Sequence, residues 1–146
     1  MAQPVTSRNP WSFVPSLYFG EGLPYVLINT VSVIFYKRMG IDNASIAFWT
    51  SWLYLPWVIK MLWGPLVDLR STKRTWLLGA QAAMAACLFL AAWSVMTPRF
   101  FLFSLCAFVI GAFISATYDI ATDGFYMLAL SEKDQALFVG IRAGFY

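Results

Sequence analysis

Three of the seven acids in this 146-residue chain, Glu21, Asp119 and Asp123, lie deep inside apolar stretches of membrane length. A charged carboxylate at the centre of a bilayer costs about 2.5–3.5 kcal/mol on insertion scales, so such a residue usually faces a polar cavity or a partner. Asp119 and Asp123 stand at i and i+4 and share a helical face with Ser104, Ser115, Thr122 and Tyr126. Close carboxylates cannot both ionise cheaply, so one can hold a proton near neutral pH, as proton relay requires. Two other uses stay open: the aspartates can staple the bundle through a base, with Lys60 and Arg142 available, or they can touch a solute. A second polar set precedes them. At about 100° per residue, Tyr18, Glu21, Tyr25, Asn29, Ser32 and Tyr36 fall in one narrow sector, a stripe running the depth of a membrane. The blander account makes Tyr18 and Tyr36 interfacial anchors. Gly20, Gly22 and Pro24 bracket Glu21 and can kink the helix there.

Other chemistry is excluded or unsupported. The chain has no histidine, which removes His-based catalysis, haem ligation and most catalytic zinc sites from this segment. There is no G-x-S-x-G nucleophile motif and no Walker A motif, so neither an enzyme nor direct ATP coupling is expected. Cys87 and Cys106 lack C-x-x-C spacing and read as small packing residues. No metal or cofactor is expected. Hydrophobic residues make up 60% of the chain and charged ones 12%. A soluble domain carries roughly twice that charge fraction. The pI of about 9.0 does not signal nucleic acid, because the basic residues are scattered with no basic stripe. The expected partners are the lipid bilayer, a small-molecule solute and protons.

These residues need helices to hold them. A bilayer core about 30 Å thick takes about 20 helical residues, and the pattern predicts an all-α transmembrane bundle with spans at about 12–36, 44–67, 76–97 and 100–130. A fifth begins about residue 136 and is cut off, which predicts a partial N-terminal bundle in one domain, residues 1–146. Connectors are short, so successive helices run antiparallel. With the N-terminus inside, the inner loops hold Arg8, Arg70, Lys73, Arg74 and Lys133, and the outer ones Lys37, Arg38 and Arg99, which favours a cytoplasmic N-terminus. The N-terminus lacks the form of a cleaved signal peptide. The third span is Ala-rich and uncharged, a lipid-facing type of helix. Trp49, Trp52, Trp57 and Trp63 crowd the second, where interfacial placement and packing explain most of them. Lys60 lies near the inner end of that span and can snorkel.

The connector Gly64-Pro-Leu-Val-Asp68-Leu-Arg70-Ser-Thr-Lys73-Arg74 resembles the G-x-x-x-D-[RK]-x-G-[RK]-[RK] signature of the major facilitator superfamily. Leu69 replaces its first basic residue and Ser71 its second glycine. A glycine there permits close helix approach, and Asp68 can accept from a facing helix N-terminus. FGEGLPY at 19–25, KMLWGPLVD at 60–68 and the segment from Ala116 to Tyr146 resemble the muropeptide permeases called AmpG, a branch that also contains acetyl-CoA carriers. Glu21 stands where a small residue is common in that pattern, and Tyr118 replaces a Gln. The resemblance implies the first four helices and the start of the fifth of a twelve-helix facilitator fold. It also implies that helices one and four line the cavity, and that a proton-coupled carrier takes up anhydro-muropeptides across the bacterial inner membrane. The substrate and proton pathway would then include Glu21, Tyr25, Asn29, Asp119, Asp123, Tyr126 and Arg142, with Gly64, Asp68, Arg70, Lys73 and Arg74 as a gating loop. An acyl-CoA or another solute is the alternative cargo, and a non-transporting membrane sensor or subunit is the alternative class.

Overall fold

The computed structural model describes residues 9–69 and 72–144, and of Asp68 and Arg142 only the backbone. The chain is 87% helical, without strands among the described residues. Helix α1 (Val14–Val26) runs through a π-helical turn at Leu27–Val31 into α2 (Ser32–Arg38). Pro24 withdraws one backbone donor from the first of these. Just beyond it the ladder widens, and Asn29 and Ser32 return their side chains to the carbonyls of Tyr25 and Ile28. The connection to α3 (Asn43–Ser51) turns at Gly40, whose φ of 81° suits a residue without Cβ. Asp42 then caps α3 by accepting from the Ser45 N–H at 2.8 Å.

The second apolar stretch is not one continuous helix. It breaks into α3, α4 (Leu55–Ile59) and α5 (Gly64–Leu69), joined by 3-10 turns at Trp52–Tyr54 and Lys60–Leu62. Pro56 and Pro65 explain the breaks, since each lacks an amide hydrogen and favours the first turn of a new helix. Among the described residues, three helices are long and apolar enough to cross a bilayer: Pro10–Arg38, Lys73–Ser94 and Phe100–Ala129. The last two are α6 and α7. Helix α8 (Glu132–Arg142) begins earlier than its apolar residues suggest. Ser131 accepts from the Asp134 N–H at 3.2 Å and donates to the Asp134 carboxylate at 2.7 Å, so a polar cap sets the start.

Helix α7 is the centre of the bundle. It packs along α6 in the most extensive helix pair and also meets α1, α4 and α5. Small residues make this possible: Ala112, Ala116 and Ala121 are fully buried. One apolar cluster joins Ile28, Tyr36, Leu53, Met84 and Phe108. At the other end of α7, Val14, Tyr18, Tyr126, Leu130 and Phe138 form a second. Outward-facing apolar residues include Val58, Leu62, Phe89 and Leu102. Such a surface in water would mark a binding or aggregation site, whereas in a membrane it is the lipid face. Cys87 is buried as a packing residue, but Cys106 is exposed on that face, which corrects its reading as a packing residue.

Candidate functional site

Between the apolar clusters lies a layer of buried polar side chains. From the first helix come Tyr18, Glu21, Asn29, Ser32 and Tyr36, all buried, with Tyr25 half-buried. From α7 come Ser104, Ser115, Asp119 and Thr122, all buried, and half-buried Asp123. The two sector patterns therefore face each other across the contact between α1 and α7. Their ends are tied directly: Tyr36 and Ser104 share a hydrogen bond of 3.0 Å, and Tyr18 donates to Asp123 at 3.1 Å.

The central contact is ionic. Lys60, in the 3-10 turn after α4, donates to Asp119 at 3.2 Å. Lys60, one of the two bases the sequence offers the aspartates, thus reaches Asp119. It is drawn inward and does not merely snorkel to the surface. Its side chain is 34% exposed against 4% for Asp119. A buried pair of this kind is weak evidence for stability as such, yet removing one partner typically costs about 3–5 kcal/mol, because a charge is left uncompensated. The broken second span explains the geometry: the turn at Lys60–Leu62 lets a lysine leave the helical face its neighbours follow.

A brace stands behind Asp119. Tyr118 accepts from the Gln81 amide at 3.1 Å and donates to the Leu17 carbonyl at 3.4 Å. Gly20 is required for this close approach, since a Cβ there would lie 2.9 Å from the Tyr118 hydroxyl. Composition makes α6 look bare, and Gln81 is the functional residue it hides. A signal for it does exist in the sequence: Gln81 is the single amide in Lys73–Ser94. Trp63 likewise does more than pack, for its indole donates to Thr117 at 3.2 Å. Tyr25 lies edge-on to Trp57 at 5.2 Å between centroids and donates to Tyr54 at 3.5 Å.

Asp123 has a different setting. With Tyr126, Glu132 and Gln135 it lines a cavity of about 450 Å³ where α7 meets α8. Tyr126 donates to the Gln135 carbonyl at 2.6 Å and closes the hairpin between the two helices. A groove of about 500 Å³ between α6 and α7, walled by Trp76, Ile110 and Phe113, carries none of the acids.

Of the loop residues, Gly64, Lys73 and Arg74 are described in full. Gly64 opens α5, and a Cβ added there would meet nothing within 4 Å, so it does not serve a close helix contact among the described residues. Pro65 as a helix starter, rather than packing, accounts for the turn. Lys73 leaves the loop and lies across α7, its Cε 2.9 Å from where a Gly124 Cβ would stand, while Arg74 is exposed. Asp68 sits in α5 and Arg142 ends α8, with both side chains outside the described residues, as is Arg70 altogether.

Residues 21–136 match the BT1 family, a transporter family, and that range takes in the layer from Glu21 to Asp123. The chain belongs to the BT1 family. A Schizosaccharomyces pombe (strain 972 / ATCC 24843) protein described as "Uncharacterized protein C21B10.09" is 27% identical over 150 residues. The alignment covers 92% of this chain and 28% of that protein, so the chain spans just over a quarter of its curated relative. No solved structure matches the chain. For this BT1 chain the family and the apolar helices together support an integral membrane protein.

Proposed function

We propose that this BT1 chain is part of the N-terminal bundle of a twelve-helix facilitator-type secondary transporter, and that its acids couple solute movement to protons. The observation that carries the reading is the Lys60–Asp119 pair, buried between the second span and α7 with Asp123 one turn away. Intramembrane ionisable residues of this kind mark ion and solute pathways. Glu21, Tyr25, Asn29 and Tyr126 complete the path, and the basic residues Arg70, Lys73 and Arg74 govern access from the cytoplasmic side. The cargo proposed is an anhydro sugar-peptide carried across a bacterial inner membrane, supported by the three segments that resemble muropeptide permeases. A second reading, an acyl-CoA or other solute, is favoured by similarity to a fission-yeast protein, which extends the family beyond bacteria.

The test uses energised membrane vesicles carrying the full-length gene product. Asp119→Asn or Asp123→Asn keeps size and hydrogen bonding but removes titration. Proton-driven accumulation of a labelled anhydro-muropeptide is expected to vanish while exchange down the solute's own gradient survives. Undiminished accumulation in both variants removes the aspartates from coupling. Orientation is checked separately with a cysteine at Arg74 in a cysteine-free background. An impermeant thiol reagent should label it only after the cells are opened.

A further inference from the structure

We infer that Lys60 is an anion receptor: an oxyanion on the solute, carboxylate or phosphate, replaces the Asp119 carboxylate on the Lys60 ammonium, and the displaced Asp119 takes up a proton. Its physiological use rests on the transport reading above, but its binding chemistry does not. The two partners are unequally enclosed, with 34% of the Lys60 side chain exposed and 4% of that of Asp119. The open side of the pair is therefore that of Lys60. An ammonium has three donors, and that of Lys60 makes one hydrogen bond among the described residues, to Asp119. The buried indole of Trp57, three residues earlier, meets the same Asp119 carboxylate and is released with it when Asp119 withdraws. The remaining donors of the ammonium suit an oxyanion, and its charge repels a cation. Tyr25 stands edge-on to both Tyr54 and Trp57, a wall for the apolar part of a solute.

The exchange balances. Before it the site holds one ammonium and one carboxylate. After it the site holds the ammonium, the bound anion and a neutral carboxylic acid, the proton having come from water. Anion and proton enter together and the net charge is unchanged. The groups that face Asp119 favour this outcome. Tyr25 acts on it from α1, Trp57 and Lys60 from the second span, and Asp123 from α7 itself. Once Lys60 is taken, Asp119 has lost its counter-charge while it stays buried with Asp123 one turn away. Its Oδ1 already lacks a hydrogen-bond partner.

The experiment is calorimetric titration of the full-length protein in nanodiscs with acetate and, separately, inorganic phosphate, each in two buffers of different ionisation enthalpy. Wild type is expected to bind one or both anions with uptake of a proton. Asp119→Asn removes the competitor, so the anion should bind roughly tenfold tighter or more, with no proton uptake. Lys60→Met should lose binding and Lys60→Arg should keep it, with helix content and monodispersity confirming that each variant is folded. A preference for acetate assigns the solute a carboxylate, and a preference for phosphate assigns it a phosphate. Weaker binding in Asp119→Asn, unchanged binding in folded Lys60→Met, or no binding in either wild type or Asp119→Asn overturns the proposal. Lys60-dependent binding without any solute uptake would instead defeat the transport reading and leave the receptor standing.

Discussion

Asp119 and Asp123 are one helical turn apart and live in different chemical settings. Asp119 is sealed between helices, held by Lys60 at 3.2 Å and backed by the Tyr118–Gln81 brace. Asp123 is half-buried, takes a hydrogen bond from Tyr18 at 3.1 Å, and borders a cavity of about 450 Å³. The first is a charge that packing has tied to a partner. The second can still be reached by water or solute. A pair of like residues on one face thus divides into an internal lock and an accessible group. The division comes from what the neighbouring helices bring to each.

The largest effect should follow from breaking the lock on its cation side. Lys60→Met leaves Asp119 buried without its partner, and a loss of about 1–3 kcal/mol is expected, read as lower folded yield and lower thermal stability in detergent. This lies below the loss for a fully enclosed pair because Asp119 can take up a proton. Adding Asp119→Asn to it should restore part of that loss. If Lys60→Met costs no more than Asp119→Asn alone, the asymmetry in enclosure between the two side chains has no energetic meaning. Next comes the brace. Gly20→Ala drives a methyl group to 2.9 Å from the Tyr118 hydroxyl, and overpacking of this kind costs about 1–3 kcal/mol. The shift in melting temperature should shrink markedly when Tyr118→Phe is added, because the clashing atom is gone.

Asp123→Asn should be milder. The amide oxygen still accepts from Tyr18, so a stability change of about 1 kcal/mol or less is expected, within the net worth of one hydrogen bond. A large drop would mean that Asp123 is held as firmly as Asp119, and the contrast would fail. The smallest effect belongs to Asp42, a carboxylate outside the spans. The hydrogen bond from the Ser45 N–H holds its carboxyl below the usual carboxylate range. A depressed value in the folded state stabilises at higher pH, and that contribution is lost as pH falls through the folded value. Acidification should therefore loosen the start of α3 in wild type and leave Asp42→Ala, already loosened, nearly unchanged. Amide exchange at Ser45 followed against pH checks this.

By itself the sequence determined the features that depend on local period and composition. The apolar runs placed the helical stretches. The spacing of Tyr18, Glu21, Asn29, Ser32 and Tyr36, and of Ser104, Ser115, Asp119 and Thr122, assigned each set to one face, because a helix turns at a nearly fixed rate. What those faces meet was decided by tertiary structure. Lys60 and Arg142 were equally available to the aspartates, and depth and rotation of the second span brought Lys60 to Asp119. That rotation depends on breaks at Pro56 and Pro65, which a hydropathy pattern averages away. Gln81 gained its meaning only when α6 was laid along α7, opposite Tyr118. Hydropathy and period are properties of one segment, whereas a hydrogen bond between segments depends on their relative height and angle, and packing alone fixes those.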